Sequence, residues 1–285
     1  MEPTIRPARA PDAAECGRIC YEAFSAIANA HRFTPDFPNV ETAAGLISAA
    51  LSNQRVQGFV AELGGRIVGS NFVDERDSIL GIGPITVDPS VQNRGVGGQL
   101  MRAGMGRLAH TGAPGMRLVQ AGYHCRSLSL YASLGFDVRE HLVCVQGPAV
   151  VGAIPGCKVR RASRADLPVC NAIAMRNHGH HRGGELAESI AQGSATVAER
   201  AGRVTGYATQ IAFFGHANAE TNDDLKALIL ATSAYAGPGF LVPSRNGELV
   251  RWCLQNGLRI TQPMTLMTMG LYGEPTGAWL PSVLY

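Results

Sequence analysis

Val87-Asp88-Pro89-Ser90-Val91-Gln92-Asn93-Arg94-Gly95-Val96-Gly97-Gly98-Gln99-Leu100-Met101 decides the reading of this chain. The apolar run from Ile79 to Val87 predicts a strand. Leu100, Met101, Met105 and Leu108 share one stripe, which predicts a helix from Gly98 to His110. Between them, glycines at 95, 97 and 98 let the backbone turn its N–H groups inward. The helix N-terminus adds the positive end of a dipole, so the loop is suited to an anion, a phosphate or pyrophosphate. A triphosphate-binding loop would need Gly-Lys followed by Ser or Thr, and Gly97-Gly98-Gln99 stands there instead. The dinucleotide fingerprint needs other glycine spacings.

A second pattern lies downstream. His124-Cys125-Arg126-Ser127-Leu128-Ser129-Leu130-Tyr131-Ala132-Ser133-Leu134-Gly135-Phe136 follows a strand-like run, Met116 to Ala121. Ser127, Leu130, Tyr131 and Leu134 fall on one helix face, and Gly135 suits a left-handed cap. Gln92-x-x-Gly95-x-Gly97 resembles the pyrophosphate loop of the GNAT family of acetyl-CoA-dependent N-acetyltransferases, Gln/Arg-x-x-Gly-x-Gly/Ala. The downstream pattern is similar to the family's Asn-x-x-Ala-x-x-Leu-Tyr-x-x-x-Gly-Phe at Leu130, Tyr131, Gly135 and Phe136. It departs at His124 and Ser127, where the family has Asn and Ala. The resemblance covers residues 1–147.

That resemblance implies transfer of an acetyl group from acetyl-CoA to a primary amine of a small molecule or peptide. It assigns the pyrophosphate to Gln92, Asn93, Arg94, Gly95, Val96, Gly97 and Gly98. Arg94 has a second reading, a solvated surface arginine. The main chain of Ile85, Thr86 and Val87 is expected along the pantetheine arm, with His124 and Ser127 as further cofactor contacts. Tyr131 is the expected general acid, since a phenol of pKa about 10 stays protonated at neutral pH. No base is evident: Leu80 to Val87 holds no carboxylate, and Asp74, Glu75 and Asp77 fall in an expected hairpin turn. The acceptor is expected at His31, Phe33 and Phe37, with Arg32 and Asp36 as polar handles. The same stretch also reads as a loop pinned by its aromatics. A reading from another class is a non-catalytic module that senses acyl-CoA or another ligand, with a dimerising C-terminal half.

The composition suits a soluble globular protein, with 285 residues, 46% hydrophobic and 16% charged. No apolar run reaches a membrane span, and Met1-Glu2-Pro3-Thr4 is not a signal peptide. A net charge of +3 without a dense basic patch argues against nucleic acid. Seven cysteines without a Cys-x-x-Cys pair suggest reduced thiols and a cytoplasmic setting. Cys16 and Cys20 read as small buried hydrophobes. His178-Gly179-His180-His181 reads as a surface loop, and no metal is expected.

The chain also repeats itself. With an offset of 154, Arg6, Ala8, Asp12, Cys16 and Ile19 match Arg160, Ala162, Asp166, Cys170 and Ile173. Asn246-x-x-Leu249-x-x-Trp252-Cys253-x-x-x-Gly257-Leu258 repeats the spacing from His124 to Phe136, with Cys253 in the place of Tyr131. The second half has no glycine loop. Its corresponding helix is expected from Asn222 to Ala236, where Asp223 and Asp224 suit the dipole but repel a pyrophosphate. The expected fold is α+β: two tandem GNAT-like domains, each a mixed, mostly antiparallel sheet flanked by helices. The first spans 1–147. The second, 157–285, reads as a degenerate copy that resembles the accessory domain of tandem proteins of the YitI-like group. A homodimer is a further expectation. Thr261 to Gly270 alternates like a strand with one methionine face, read as core or as an adaptable contact surface. Ala278 to Tyr285 is too apolar for a free tail and should pack on the body.

Overall fold

Periodicity translates directly into the first elements of the computed structural model, which describes residues 2–284. Strand β1 (Thr4–Pro7) pairs antiparallel with residues 59–62. Helix α1 (Ala13–Ala30) buries Cys16, Ile19 and Cys20, three and four apart on one face. Helix α2 (Val40–Ser52) starts where the Asn39 side chain accepts the Thr42 N–H, satisfying one of the orphan donors of the first turn. Gly17 lets α1 lie directly on α2, because a Cβ there would collide with the Ala44 backbone. These helices cover β2 (Val56–Leu63) and β3 (Arg66–Asp74) through Phe37, Ile47, Val60 and Phe72.

The single strand expected from Ile79 to Val87 is two strands, β4 (Leu80–Ile82) and β5 (Thr86–Val87). Gly83-Pro84-Ile85 interrupts them, and the Gly83–Pro84 bond is cis. Both pair with β3. Helix α3 (Val96–Thr111), β6 (Gly115–Ala121), α4 (Cys125–Ser133) and β7 (Asp137–Gln146) follow. Met101, Met116, Leu118, Tyr131 and Phe136 form the core between α3, α4 and the sheet. Burial of each such large side chain contributes roughly 1.5–3 kcal/mol.

The second half opens with β8 (Cys157–Arg161), α5 (Leu167–His178), α6 (Gly183–Gln192), β9 (Thr196–Arg200), β10 (Arg203–Ala208) and β11 (Ala217–Ala219). It continues through α7 (Asn222–Leu230), β12 (Phe240–Pro243), α8 (Gly247–Gln255), β13 (Arg259–Gly270) and β14 (Ala278–Leu280). Helix α7 stops at Leu230, short of the expected Ala236. Its last turn ends at Ala231, and Gly237-Pro238-Gly239 lies just beyond.

Two local geometries occur once in each half. Arg6 grips Asp12 at 2.7 Å, and Arg160 grips Asp166 at 2.8 Å. Beyond α4 the Phe136 N–H donates to Tyr131 O at 3.0 Å, and beyond α8 the Leu258 N–H donates to Cys253 O at 3.1 Å. The fold is mixed α+β, with eight α-helices among the described residues and mostly antiparallel sheets, as two GNAT-like domains would give.

The halves share one sheet of nine strands, ordered β1-β2-β3-β4-β6-β13-β7-β12, with β5 also on β3. Strand β13, from the second half, lies between β6 and β7 of the first. Strand β7, from the first half, lies between β13 and β12 of the second. A separate five-stranded sheet, β14-β11-β10-β9-β8, belongs wholly to the second half.

The methionines of β13 do not share a face. Met264 packs with Phe213, Leu241 and Trp279, whereas Met267 and Met269 pack against the Tyr131 core. They lie at odd spacings from Met264, and the pairing with β7 slips between Leu266 and Met267. The segment after β14 packs on the body, with the Val283 N–H donating to Phe213 O at 2.9 Å. Tyr285 lies outside the described residues. Among the described residues no helix is long and apolar enough to cross a membrane.

Candidate functional site

Strands β4 and β6 pair in parallel only at Leu80–Met116 and Gly81–Arg117, then diverge. Into this opening a cavity of about 520 Å³ extends. Ile82 to Val87 line one side and Leu118 to Ala121 the other. Strand β5 spends one edge on β3, and no strand pairs with its other edge. The expected main-chain contacts at Ile85, Thr86 and Val87 therefore lie on the cavity wall.

The glycine loop forms another wall. Asn93 and Gly95 turn left-handed, at φ +65° and +80°, and Gly95 is the N-cap of α3. Space does not demand glycine at 95, since a Cβ would meet nothing within 4 Å; the conformation does. The first bond of the α3 ladder runs from Gln99 N–H to Gly95 O at 3.1 Å. The N–H groups of Val96, Gly97 and Gly98 precede it and have no intrahelical partner. Gln92 anchors the loop by donating to Val87 O at 3.0 Å. Gln92, Asn93, Gly95, Val96, Gly97 and Gly98 line the cavity, while Arg94 is exposed and does not.

Arg126, singled out by neither motif, lines the cavity instead. It donates to Gln92 Oε1 at 2.6 Å and Asn93 Oδ1 at 3.3 Å, tying the start of α4 to the loop. Its signal in the sequence was its place two residues after His124, at the start of a helix facing the glycine loop.

His124, Ser127 and Tyr131 lie one turn apart along α4 and all line the cavity. His124 Nδ1 sits 2.7 Å from Ser127 Oγ, and its Nε2 is buried without a hydrogen-bond partner. Burial lowers the imidazole to a pKa of about 4, helped by the charges of Arg126 and His31, so it is neutral at pH 7. Burial pushes the Tyr131 phenol up to about 12, and a hydrogen bond with Ser127 opposes this. The phenol therefore holds its proton firmly at neutral pH.

Of the acceptor residues, Phe37 lines the cavity and His31 and Phe33 do not. Those two pack on Tyr123, with Phe33 stacked at 4.2 Å and His31 tilted at 5.3 Å. Asp36 lines the cavity and accepts from Gln262 Nε2 at 3.0 Å. Gln120, buried on β6, also lines it, and neither atom of its amide has a partner. The rest of this end is apolar: Phe24, Ile27, Phe213, Phe214, Met264 and Leu284. The last four come from beyond residue 157, a contribution that the first-half motifs do not announce. The carboxylates upstream of β4 are engaged elsewhere. Asp74 holds Arg76, Glu75 holds Arg107, and Asp77 accepts the Gly184 N–H at 2.7 Å.

In the second half the helix expected to correspond to α3 begins with a carboxylate. Asp224 is buried at the start of α7, 2.7 Å from Arg200 Nε, 2.9 Å from Thr205 Oγ1 and 2.6 Å from Thr221 Oγ1. Cys253, in the place of Tyr131, is fully buried in that half's core. His178 and His180 are buried rather than on the surface, and His178 Nε2 lies 2.6 Å from Asn218 Oδ1. Among the described residues no group of three or more His, Cys, Asp or Glu could hold a metal ion.

Residues 54–138 match the family model of the acetyltransferase (GNAT) domain. Two solved structures resemble the chain over nearly its whole length. A candidate acetyltransferase from Pyrococcus horikoshii aligns with TM-score 0.77 and 16% identity, covering 98% of this chain and 93% of that one. A GCN5-related N-acetyltransferase from Sphaerobacter thermophilus aligns with TM-score 0.63 and 14% identity, covering 95% and 96%. At these identities the likeness is one of fold. No curated protein sequence matches the chain.

Proposed function

We propose that this chain is an acetyl-CoA-dependent N-acetyltransferase acting on a primary amine, with the active copy in 1–147 and a degenerate copy in 157–285. The observation that carries this reading is a shared cavity. The free N–H groups at the start of α3 open onto the same space as the protonated phenol of Tyr131.

The residues present fit acetyl-CoA. Three unpaired N–H groups, the α3 dipole and the Arg126 guanidinium suit a pyrophosphate. The open edge of β5 suits the amides of a pantetheine arm. When bound, acetyl-CoA supplies the activated acetyl group as a thioester. The outward N–H groups of β5 polarise a carbonyl laid along them, in the manner of an oxyanion hole. Tyr131 donates its proton to the departing thiolate. The amine attacks as the neutral base, the C–N bond forms as the C–S bond breaks, and the proton its nitrogen sheds balances the one Tyr131 gives up. Asp224 and Thr221 close the corresponding corner of the second half.

The test is thiol release from acetyl-CoA across a panel of primary amines. Release with at least one amine supports the reading. Tight acetyl-CoA binding with no release on any amine would favour the ligand-sensing alternative.

A further inference from the structure

We propose that Asp36 is the counter-ion for the ammonium group of an apolar monoamine acceptor, and that Gln262 on β13 positions it. This rests on the N-acetyltransferase reading and names the class of its acceptor.

Asp36 is a carboxylate set in a wall of aromatic and aliphatic side chains. Its one hydrogen-bond partner is the Gln262 amide, at 3.0 Å. Tyr123 in turn lies 3.4 Å from Gln262 Oε1, which fixes which way the amide faces. No arginine, lysine or histidine pairs with Asp36 among the described residues. Burial pushes its carboxyl upward, and only the Gln262 bond opposes that. A carboxylate withdrawn from water without a cation is costly, and a bound cation relieves the cost.

The two ends of the cavity are therefore electrically opposite. The α3 start and Arg126 suit an anion, and Asp36 repels one. A ligand with an ammonium and an apolar body complements Asp36 and the Phe24, Phe37, Phe213, Phe214 and Met264 side chains that line the same cavity. A second carboxylate on the acceptor would meet Asp36 and be rejected.

The experiment is calorimetry on the full chain in saturating coenzyme A. The probes are 2-phenylethylamine, its neutral isostere 2-phenylethanol, and phenylalanine. The wild type should bind the amine at least tenfold more tightly than the alcohol or the amino acid. Asp36→Asn should erase the preference for amine over alcohol and leave acetyl-CoA affinity within twofold. Its melting temperature should hold or rise, because a half-buried charge without a cation is gone. Gln262→Leu should reduce the same preference severalfold, again with acetyl-CoA affinity kept. The proposal is overturned if no apolar monoamine binds, if phenylalanine binds as tightly as the amine, or if folded Asp36→Asn keeps the wild-type preference. Failure of the acetyltransferase reading looks different, because the wild type would then release no thiol from acetyl-CoA with any amine, whichever amines it binds.

Discussion

Ser127 Oγ lies 2.7 Å from His124 Nδ1, and Tyr131 follows one turn later on the same helix. The spacing places an imidazole, a hydroxyl and a phenol in sequence along the cavity. Tyr131→Phe keeps the ring in the core and removes its proton. Turnover should fall on the order of a hundredfold while acetyl-CoA affinity is kept. Ser127→Ala should cost less, about tenfold, because it removes the hydrogen bond that eases the Tyr131 phenol and leaves the donor. Initial rates and calorimetry on the two variants check this, and a near-normal rate for Tyr131→Phe would make the phenol a packing residue.

His124 should not titrate near neutrality. Its pKa of about 4 means that it charges only as the pH falls below that value. The kcat profile should therefore show no inflection from this residue between pH 5.5 and 8. His124→Asn should leave the shape of the profile in that range unchanged.

Gly95 and Gly97 should fail in different ways. A Cβ at Gly97 would make ordinary contacts, 3.5 Å from Leu130 and 3.8 Å from Val87. Gly97→Glu should fold with a near-normal melting temperature yet lose acetyl-CoA binding, because its carboxylate repels a pyrophosphate. Gly95→Val forces a branched side chain into the left-handed region and should cost about 1–3 kcal/mol of stability. Thermal melts alongside calorimetry separate the two effects.

One acetyl-CoA should bind per chain. Asp224 already occupies the start of α7, and Thr221, Thr205 and Arg200 satisfy it. A measured stoichiometry of two would show that the second half retains a working site.

The repeated arginine–aspartate clasp should show in acid. Hydrogen bonds from Arg6 hold the Asp12 carboxyl below the ordinary range, and those from Arg160 do the same for Asp166. Stability from a depressed carboxyl is fully present above the ordinary value of about 3.9 and is lost as pH falls through the folded-state value. The double variant Asp12→Asn, Asp166→Asn should melt lower at pH 7, and its melting temperature should then fall less than the wild type's between pH 4 and pH 2.

What was legible in the sequence was local. The glycine loop, the Tyr131 helix and the clasp each lie within about fifteen residues, and spacing alone exposes them. Ile79 to Val87 misled because an apolar run reads as one strand, while Gly83-Pro84-Ile85 interrupts it where the opening lies. The methionine face failed for a simpler reason: Met267 and Met269 stand three and five residues from Met264, and a strand turns odd spacings to opposite faces. The contact of Asp36 with Gln262 spans 226 positions. Neither residue carries a local sign of the other, because β13 reaches Asp36 only by entering the other half's sheet.

That entry gives the chain an unusual debt to its own far end. Strands β6 and β7 are not neighbours, because β13 lies between them. A gene encoding only 1–147 would thus specify two strands held one strand-width too far apart, each with unpaired N–H and C=O groups facing a slot. Neighbouring strands stand about 4.8 Å apart, so the slot has the size of a single strand. Such a fragment must either collapse the gap, and with it the splay that admits a ligand, or fill it with a strand from another molecule. Carrying both halves in one polypeptide removes that choice by keeping the missing strand permanently at hand.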